Sequence, residues 1–486
     1  MISQWRKPQS IIYECYSKLS VYNRLRHNVR INVERLQQRG SFAQNFAIAF
    51  SGTAAVAALG LLVTPIMSRI YPPASYGLFA VFNSLVNNVN LISSLGYTTA
   101  FLLPRLHKRF LALVQFSLVM TLATFLVSGL AVLLLKQPLL HLLRAEEMGN
   151  WLYCVPVTVF MFNVYLIMHA WYLRTKNFGK RAKVEVGTAL AGRGLTLGYG
   201  WLAHGPVGGL IVGDIFAKSM GFFSLLLGGF YRHLGELYRT FSWRRIRAVA
   251  WEYREYPFYV LPTSYLNVLA AQLPIFFLTS GFGATTVGLY AFSTSLLELP
   301  INLIGNAISP VFMQKAAETY QQEPEKLPGL CLALYYKLFY FGLLPFGIIS
   351  IFGDWIFKFA FGARWEMAGL FTAYLGYYYM FKLGTYATSP VYMLLQRQRL
   401  ALLGTVLLVL ARAASLFIGI RTHNLTLGMQ LFGVSSLVVT FGVDMNILHL
   451  LKISVWRVAA RSLVLMGATL AVLWGLRLGL QHVFAV

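Results

Sequence analysis

Tyr76–Leu85 reads YGLFAVFNSL, and Val287–Leu296 reads VGLYAFSTSL. Glycine, leucine, alanine, serine and leucine recur at the same places in both. The two stretches lie 211 positions apart in a chain of 486 residues. Each opens a long apolar segment, and each follows a short turn that closes the segment before it. Shifting the sequence by 211 lays the first apolar segment, 46–68, over the seventh, at 257–279. Six segments separate the copies. Six is even, so both copies cross a bilayer in the same sense, a parallel repeat about an axis along the membrane normal. The expected architecture is two six-helix lobes facing each other across a central cavity, rocking to expose it to each side in turn.

The composition agrees with a membrane chain. It is 57% hydrophobic and 12% charged, with a mean hydropathy of +0.61, where a soluble domain carries about 25% charge. Thirteen apolar segments follow one another, at 46–68, 76–103, 110–135, 151–173, 184–204, 207–230, 257–281, 286–312, 331–352, 366–395, 399–420, 425–450 and 459–483. Each can span ~30 Å of hydrocarbon as a helix. The fold class is therefore all-α and polytopic, with twelve or thirteen transmembrane helices. The last segment is the weakest, because Arg461 and Arg477 sit near its ends. Without it, the C-terminus returns to the side of the N-terminus.

Lys and Arg set the orientation. Most of the 41 fall in the N-terminal tail and in the loops after even-numbered segments. The opposite side holds only Arg69, Lys136, Arg144, Lys358, Arg364, Arg421 and Arg477. By the positive-inside rule the N-terminus is cytoplasmic. The net charge of +25 then belongs to cytoplasmic loops, and nucleic acid is not expected as a partner. The chain divides into a basic tail at 1–45, an N-terminal lobe at 46–230, a cytoplasmic linker at 231–256, a C-terminal lobe at 257–450 and an extra helix within 451–486. In the tail, Ile12, Tyr16, Leu19, Tyr22, Leu25, Val29, Val33 and Leu36 are spaced by three and four. That spacing predicts an amphipathic helix on the anionic inner leaflet, against a flexible solvated tail. The first 40 residues hold no apolar core of the kind a signal peptide needs. Cys15, Cys154 and Cys331 fit no metal site or disulfide framework. No metal or cofactor is expected.

Polar groups inside the segments mark the candidate site, since lipid cannot satisfy them. Asn83, Asn87 and Asn90 share one face of segment 2, and Ser295, Glu298, Asn302 and Asn306 share one face of segment 8. The 211 offset makes Asn87 and Glu298 equivalent. These stripes line the cavity or bond neighbouring helices. Five cations are embedded: Arg193, Lys218, Lys337, Lys382 and Arg412. Left facing lipid at mid-depth, each costs about 2.5–3.5 kcal/mol. Asp214 lies one turn before Lys218, the spacing of an ion pair. Lys337 is near a helix end and can snorkel. Arg193, Lys382 and Arg412 have no acid within four residues, and with Lys218 they are the candidates for a cationic cavity. The embedded acids are fewer: Asp214, Glu298 and Asp444. Excess cation points to an anionic substrate, held by charge and forked hydrogen bonds. Glu298 then either takes up a coupling proton or pairs with a cation between turnovers.

Several stretches also resemble a known family. Ser51–Phe82, SGTAAVAALGLLVTPIMSRIYPPASYGLFAVF, is similar to the first two helices of Wzx-type oligosaccharide flippases, and SSLGYTTAFLLP at Ser93–Pro104 continues the likeness. EYPFYVLPTSYLNVLAAQLPIFFLTSGFG resembles the family's seventh helix, VGLYAFSTSLLELPINLIGNAISPVFMQKAAE its eighth, and FGDWIFKFAFGARWEMAGL its loop between helices 9 and 10. The likeness covers about 45–450. It implies the fold of the multidrug/oligosaccharidyl-lipid/polysaccharide (MOP) exporters. It also implies the activity, moving an undecaprenyl-diphosphate-linked oligosaccharide from the inner to the outer leaflet of a bacterial inner membrane. Expected partners are that lipid-linked glycan, membrane lipids, a coupling proton or sodium ion, and a polysaccharide polymerase with its assembly proteins. Three departures stand out: no charges at Gly96-Tyr97-Thr98, a longer basic tail, and a thirteenth segment. An ion-coupled small-molecule antiporter of the same fold is the main alternative. An assembly subunit that transports nothing and a membrane glycosyltransferase come after it. No enzyme activity is expected: no phosphate-binding G-x-x-x-x-G-K-[ST] loop is present, and the adjacent acids Glu146 and Glu147 read as a solvated loop.

Overall fold

The computed structural model describes residues 42–175 and 177–484, so the helix expected over 12–36 lies outside the described residues. The first six long helices are α1 (Phe42–Ile70), α2 (Pro73–Ser93), α3 (His107–Leu142), α4 (Cys154–Arg174), α5 (Phe178–Leu202) and α6 (Val207–Leu225). Two short helices follow, α7 (Tyr231–Arg239) and α8 (Trp243–Glu252). The second set is α9 (Leu261–Phe282), α10 (Ala284–Gln322), α11 (Leu327–Phe361), α12 (Glu366–Thr388), α13 (Gln398–Arg421) and α14 (Leu425–Leu450), and α15 (Val455–Phe484) is added to it. Among the described residues, ten helices are long and apolar enough to cross a membrane. The other three long helices, α2, α5 and α12, are 21, 25 and 23 residues but more polar. Two of them lean chiefly on protein: α2 packs on α4, α9 and α10, and α12 on α10, α11 and α14.

Helix ends sit where the sequence supplies punctuation. Pro73 stands in the first turn of α2, where its missing N–H costs nothing. Gly283 (φ 85°) separates α9 from α10, and Gly362 (φ 99°) separates α11 from the turn before α12. Asn424 caps α14 by accepting from the Leu427 N–H at 2.9 Å. Several boundaries differ from the sequence expectation: α3, α10 and α11 run on to Leu142, Gln322 and Phe361, past the expected ends at 135, 312 and 352. The segment read as 76–103 stops at Ser93, because Leu95 (φ 48°) and Gly96 (φ 77°) reverse the chain into a short turn of helix at Tyr97–Leu102. The segment read as 366–395 stops at Thr388, before Pro390. The stretch 231–256 is not an open linker. It holds α7 and α8, which bury Leu237 and Val249 against the first half.

The internal repeat is visible as packing. In the first half α1 packs on α5, α2 on α4, α3 on α4, α4 on α6 and α5 on α6. In the second half α9 packs on α13, α10 on α12, α11 on α12, α12 on α14 and α13 on α14. These are the same pairings, six helices later. The halves meet through α2 and α10. At their crossing the repeated glycines touch: a methyl added to Gly77 would overlap the Ala284 carbonyl, and one added to Gly288 would overlap the Pro73 carbonyl. Residues equivalent under the repeat thus contact each other reciprocally, as residues on a two-fold axis must. Only glycine lets the two backbones approach this closely.

Aromatic residues extend this clamp. Tyr76 meets Phe292 and Trp365 edge-on, with ring centroids at 5.4 and 5.2 Å. The buried Trp365 indole donates to the Ser68 carbonyl at 2.9 Å. The two halves are therefore sealed together at the end where α2 and α10 begin. The basic segment 231–256 lies at the other end.

Candidate substrate cavity

Directly beneath the clamp lies a cavity of about 780 Å³. It runs from Tyr76 and Phe292 down to Asn302 and Tyr386, both exposed. Its walls come from α2, α9, α10, α12, α13 and α14. Most of it belongs to the second half, with α2 of the first half as the facing wall.

Two cations and one acid line it. Lys382 on α12 forms an ion pair with Glu298 on α10, and Tyr379 donates to the same Glu298 oxygen at 3.0 Å. Arg412 on α13 has no acid partner among the described residues. Its Nε donates to the Ser436 hydroxyl at 3.0 Å, its Nη1 to the Ala270 carbonyl at 2.9 Å and its Nη2 to the Tyr378 hydroxyl at 3.0 Å. It also lies over the Phe432 ring, 4.8 Å from the centroid. The Ala270 carbonyl is available because Pro274, four residues later in α9, has no N–H to offer it. Arg412 thus satisfies the acceptor that the proline leaves without its helical donor. The lining carries one positive charge more than it balances.

The other sequence candidates fall in several places. Asn83 and Asn302 line the cavity with Glu298, Lys382 and Arg412. Asn87 and Asn90 are not among its lining residues. Asn90 turns into the first half, where its side-chain oxygen accepts from Asn163 at 3.0 Å and Asn163 accepts from Thr121. Asp214 and Lys218 pair with each other at 2.5 Å on α6, away from the cavity, with Lys218 over the Phe162 ring. Arg193 on α5 also lies outside it and donates to the Val56 carbonyl of α1 at 3.1 Å. Its place mirrors that of Arg412, which reaches the equivalent helix of the second half. Asp444 is buried in α14 and accepts from Thr385 at 2.8 Å.

Reading the sequence missed the tyrosines. Tyr76, Tyr290, Tyr378, Tyr379 and Tyr386 give the cavity an aromatic lining. A signal was present: Tyr378 and Tyr379 precede Lys382 by four and three, so they share its helix face. Gln272 was also missed. Its side-chain oxygen is buried in the cavity wall without a hydrogen-bond partner among the described residues.

The profile of a family described as polysaccharide biosynthesis protein matches residues 66–369. No curated protein matches the chain. Among solved structures, an inward-facing multidrug-resistance transporter of the MATE family in the MOP superfamily superposes with a TM-score of 0.62 at 16% identity, over 87% of this chain and 98% of its own. The lipid II flippase MurJ, in an inward closed conformation, superposes at 0.63 with 9% identity, over 88% and 97%. An outward-facing MATE transporter reaches 0.55 at 15% identity, over 86% and 95%. These likenesses establish a shared fold. With more than half of the chain matched by the profile, the protein belongs to the polysaccharide biosynthesis family and is a multi-pass membrane protein of the MOP fold.

Proposed function

We propose that this protein is a flippase, moving an undecaprenyl-diphosphate-linked oligosaccharide from the cytoplasmic to the outer leaflet of a bacterial inner membrane by alternating access. The observation that carries this reading is the cavity with two cations and one acid, clad in tyrosine, between two repeat-related halves. A diphosphate brings negative charge that Arg412 and Lys382 match, Arg412 by forked donors and Lys382 as a point charge. Tyrosine rings offer apolar faces and hydroxyls to sugar rings. Glu298 occupies Lys382 here. An arriving diphosphate competes for that lysine and frees Glu298 to accept a proton. The basic end faces the cytoplasm, so the cavity here is closed toward the outside by the glycine and aromatic clamp. The lobes are 46–230 and 257–450, with 231–256 between them and 451–486 added. Arg193 and the Asp214–Lys218 pair then serve helix packing in the first lobe.

The test is to delete the gene and extract membrane lipids. The expected result is undecaprenyl-diphosphate-linked oligosaccharide accumulating on the cytoplasmic leaflet, with loss of surface polysaccharide. Intact surface glycan without accumulation, in a strain with no second flippase, would overturn the reading. It would favour ion-coupled small-molecule export on the same fold.

A further inference from the structure

A second feature lies on the outer surface of the bundle, away from the cavity. Between α10 and α11 there is a groove of about 450 Å³ lined by Ile308, Val311 and Phe312 on one side and Leu330, Ala333 and Leu334 on the other. Lys315 and Lys337 complete its wall. Both are exposed, and neither has a hydrogen-bond or ion-pair partner among the described residues. The acid nearest in sequence to Lys315, Glu318, is one turn away and accepts from Gln314 at 3.0 Å.

The helices fix the depth of this groove. α10 runs toward the basic end and stops at Gln322, and α11 returns from Leu327. Lys315 is seven residues before the end of α10 and Lys337 ten after the start of α11. At 1.5 Å per residue they stand at about 10 and 15 Å from the turn, within about one helical turn of each other in depth. Beyond Lys337 the same face of α11 continues as Phe341 and Leu344, 58% and 57% exposed. Such a face is lipid-facing in a membrane. On the far flank of α11, Arg461 lies over Tyr336 and Tyr340 at 4.9 and 5.9 Å, the aromatic and cationic signature of an interface.

We infer that this groove binds one anionic phospholipid, its phosphate held by Lys315 and Lys337 and an acyl chain laid along Ile308, Val311 and Ala333. Two unpaired ammonium groups near the hydrocarbon boundary need a counter-charge, and basic pockets between membrane helices recognise acidic headgroups. An apolar groove open to the bilayer takes the chain. The inference is independent of the transported substrate and rests only on the helices crossing a membrane.

Native mass spectrometry on the full-length protein in mild detergent tests it, titrating dioleoylphosphatidylglycerol against dioleoylphosphatidylcholine. The expected result is one phosphatidylglycerol retained at least tenfold better than phosphatidylcholine. The preference falls to near unity in Lys315→Gln/Lys337→Gln. It persists in Lys326→Gln, whose lysine is already paired with Glu323. Ala333→Trp fills the groove and leaves both lysines, and it too should expel the lipid. Equal retention of the two lipids would overturn the inference, as would a preference unchanged in the double variant. Loss in the double variant with full retention in Ala333→Trp would also overturn it, since the lipid would then sit on the surface charges alone.

Discussion

Arg412 shows how a charge is held deep in an apolar protein by neutral acceptors. Its three donating nitrogens reach a hydroxyl on α14, a carbonyl on α9 and a phenol on α12. Removing the side chain leaves several buried acceptors without donors, at about 1–3 kcal/mol each. Arg412→Ala is therefore expected to lower the melting temperature of the detergent-solubilised protein by several degrees. Arg412→Lys keeps the charge but cannot span three acceptors, so it should recover only part of the loss; full recovery would show that charge alone matters. The sequence identified Arg412 and Lys382 as cations without nearby acids, but it could not separate their fates. Glu298 lies 84 positions from Lys382, and no local spacing encodes that meeting. Helical spacing puts Asn87 and Asn90 on one stripe with Asn83. A helix face is wide enough that Asn83 reaches the cavity while Asn90 bonds a neighbour, and only packing decides between them.

Among the elements, α15 was the hardest to read, because two arginines near its ends weaken it as a span. Each has a partner on α11. Arg477 forms a forked ion pair with Asp354, at 3.1 and 2.5 Å, between Trp355 and Trp474. Arg461 lies over Tyr336 and Tyr340. Both arginine and carboxylate are largely buried, and breaking a buried pair from one side costs about 3–5 kcal/mol. Arg477→Ala should detach α15 and expose the turn before Val455 to protease, while Arg477→Leu/Asp354→Leu should protect it again. Protection of the turn in the single variant would mean that apolar packing alone holds the helix. The polar helices α2, α5 and α12 pose the opposite case. The sequence reads their segments as apolar like the others, and the greater polarity of α2 and α12 makes sense once their protein neighbours are known.

At the scale of the molecule, the ten-residue repeat announced the architecture. It opens the two helices that cross at the centre, and its glycines are where they touch. Pairing within each half follows from the repeat, whereas which end is sealed does not: both ends are written in the same apolar helices. Replacing Gly288 by Leu should force the clamp apart, since overpacking a tight contact costs about 1–3 kcal/mol. In a cysteine-free background, Ala80→Cys, buried in the cavity wall one turn below Tyr76, should resist a membrane-impermeant maleimide added at the clamp side. Adding Gly288→Leu should make it react; unchanged protection would mean that the aromatic contacts seal that end without the glycines.

The central claim, that the cationic cavity carries a lipid-linked diphosphate across the bilayer, is tested most directly in proteoliposomes. Fluorescent undecaprenyl-diphosphate-linked oligosaccharide is built into both leaflets and quenched with external dithionite. The protein is expected to bring the protected inner-leaflet probe within reach, and Lys382→Gln to slow that exchange by tenfold or more while the protein remains folded. Inner-leaflet probe as well protected as in protein-free vesicles, or exchange equally fast with Lys382→Gln, would contradict the account.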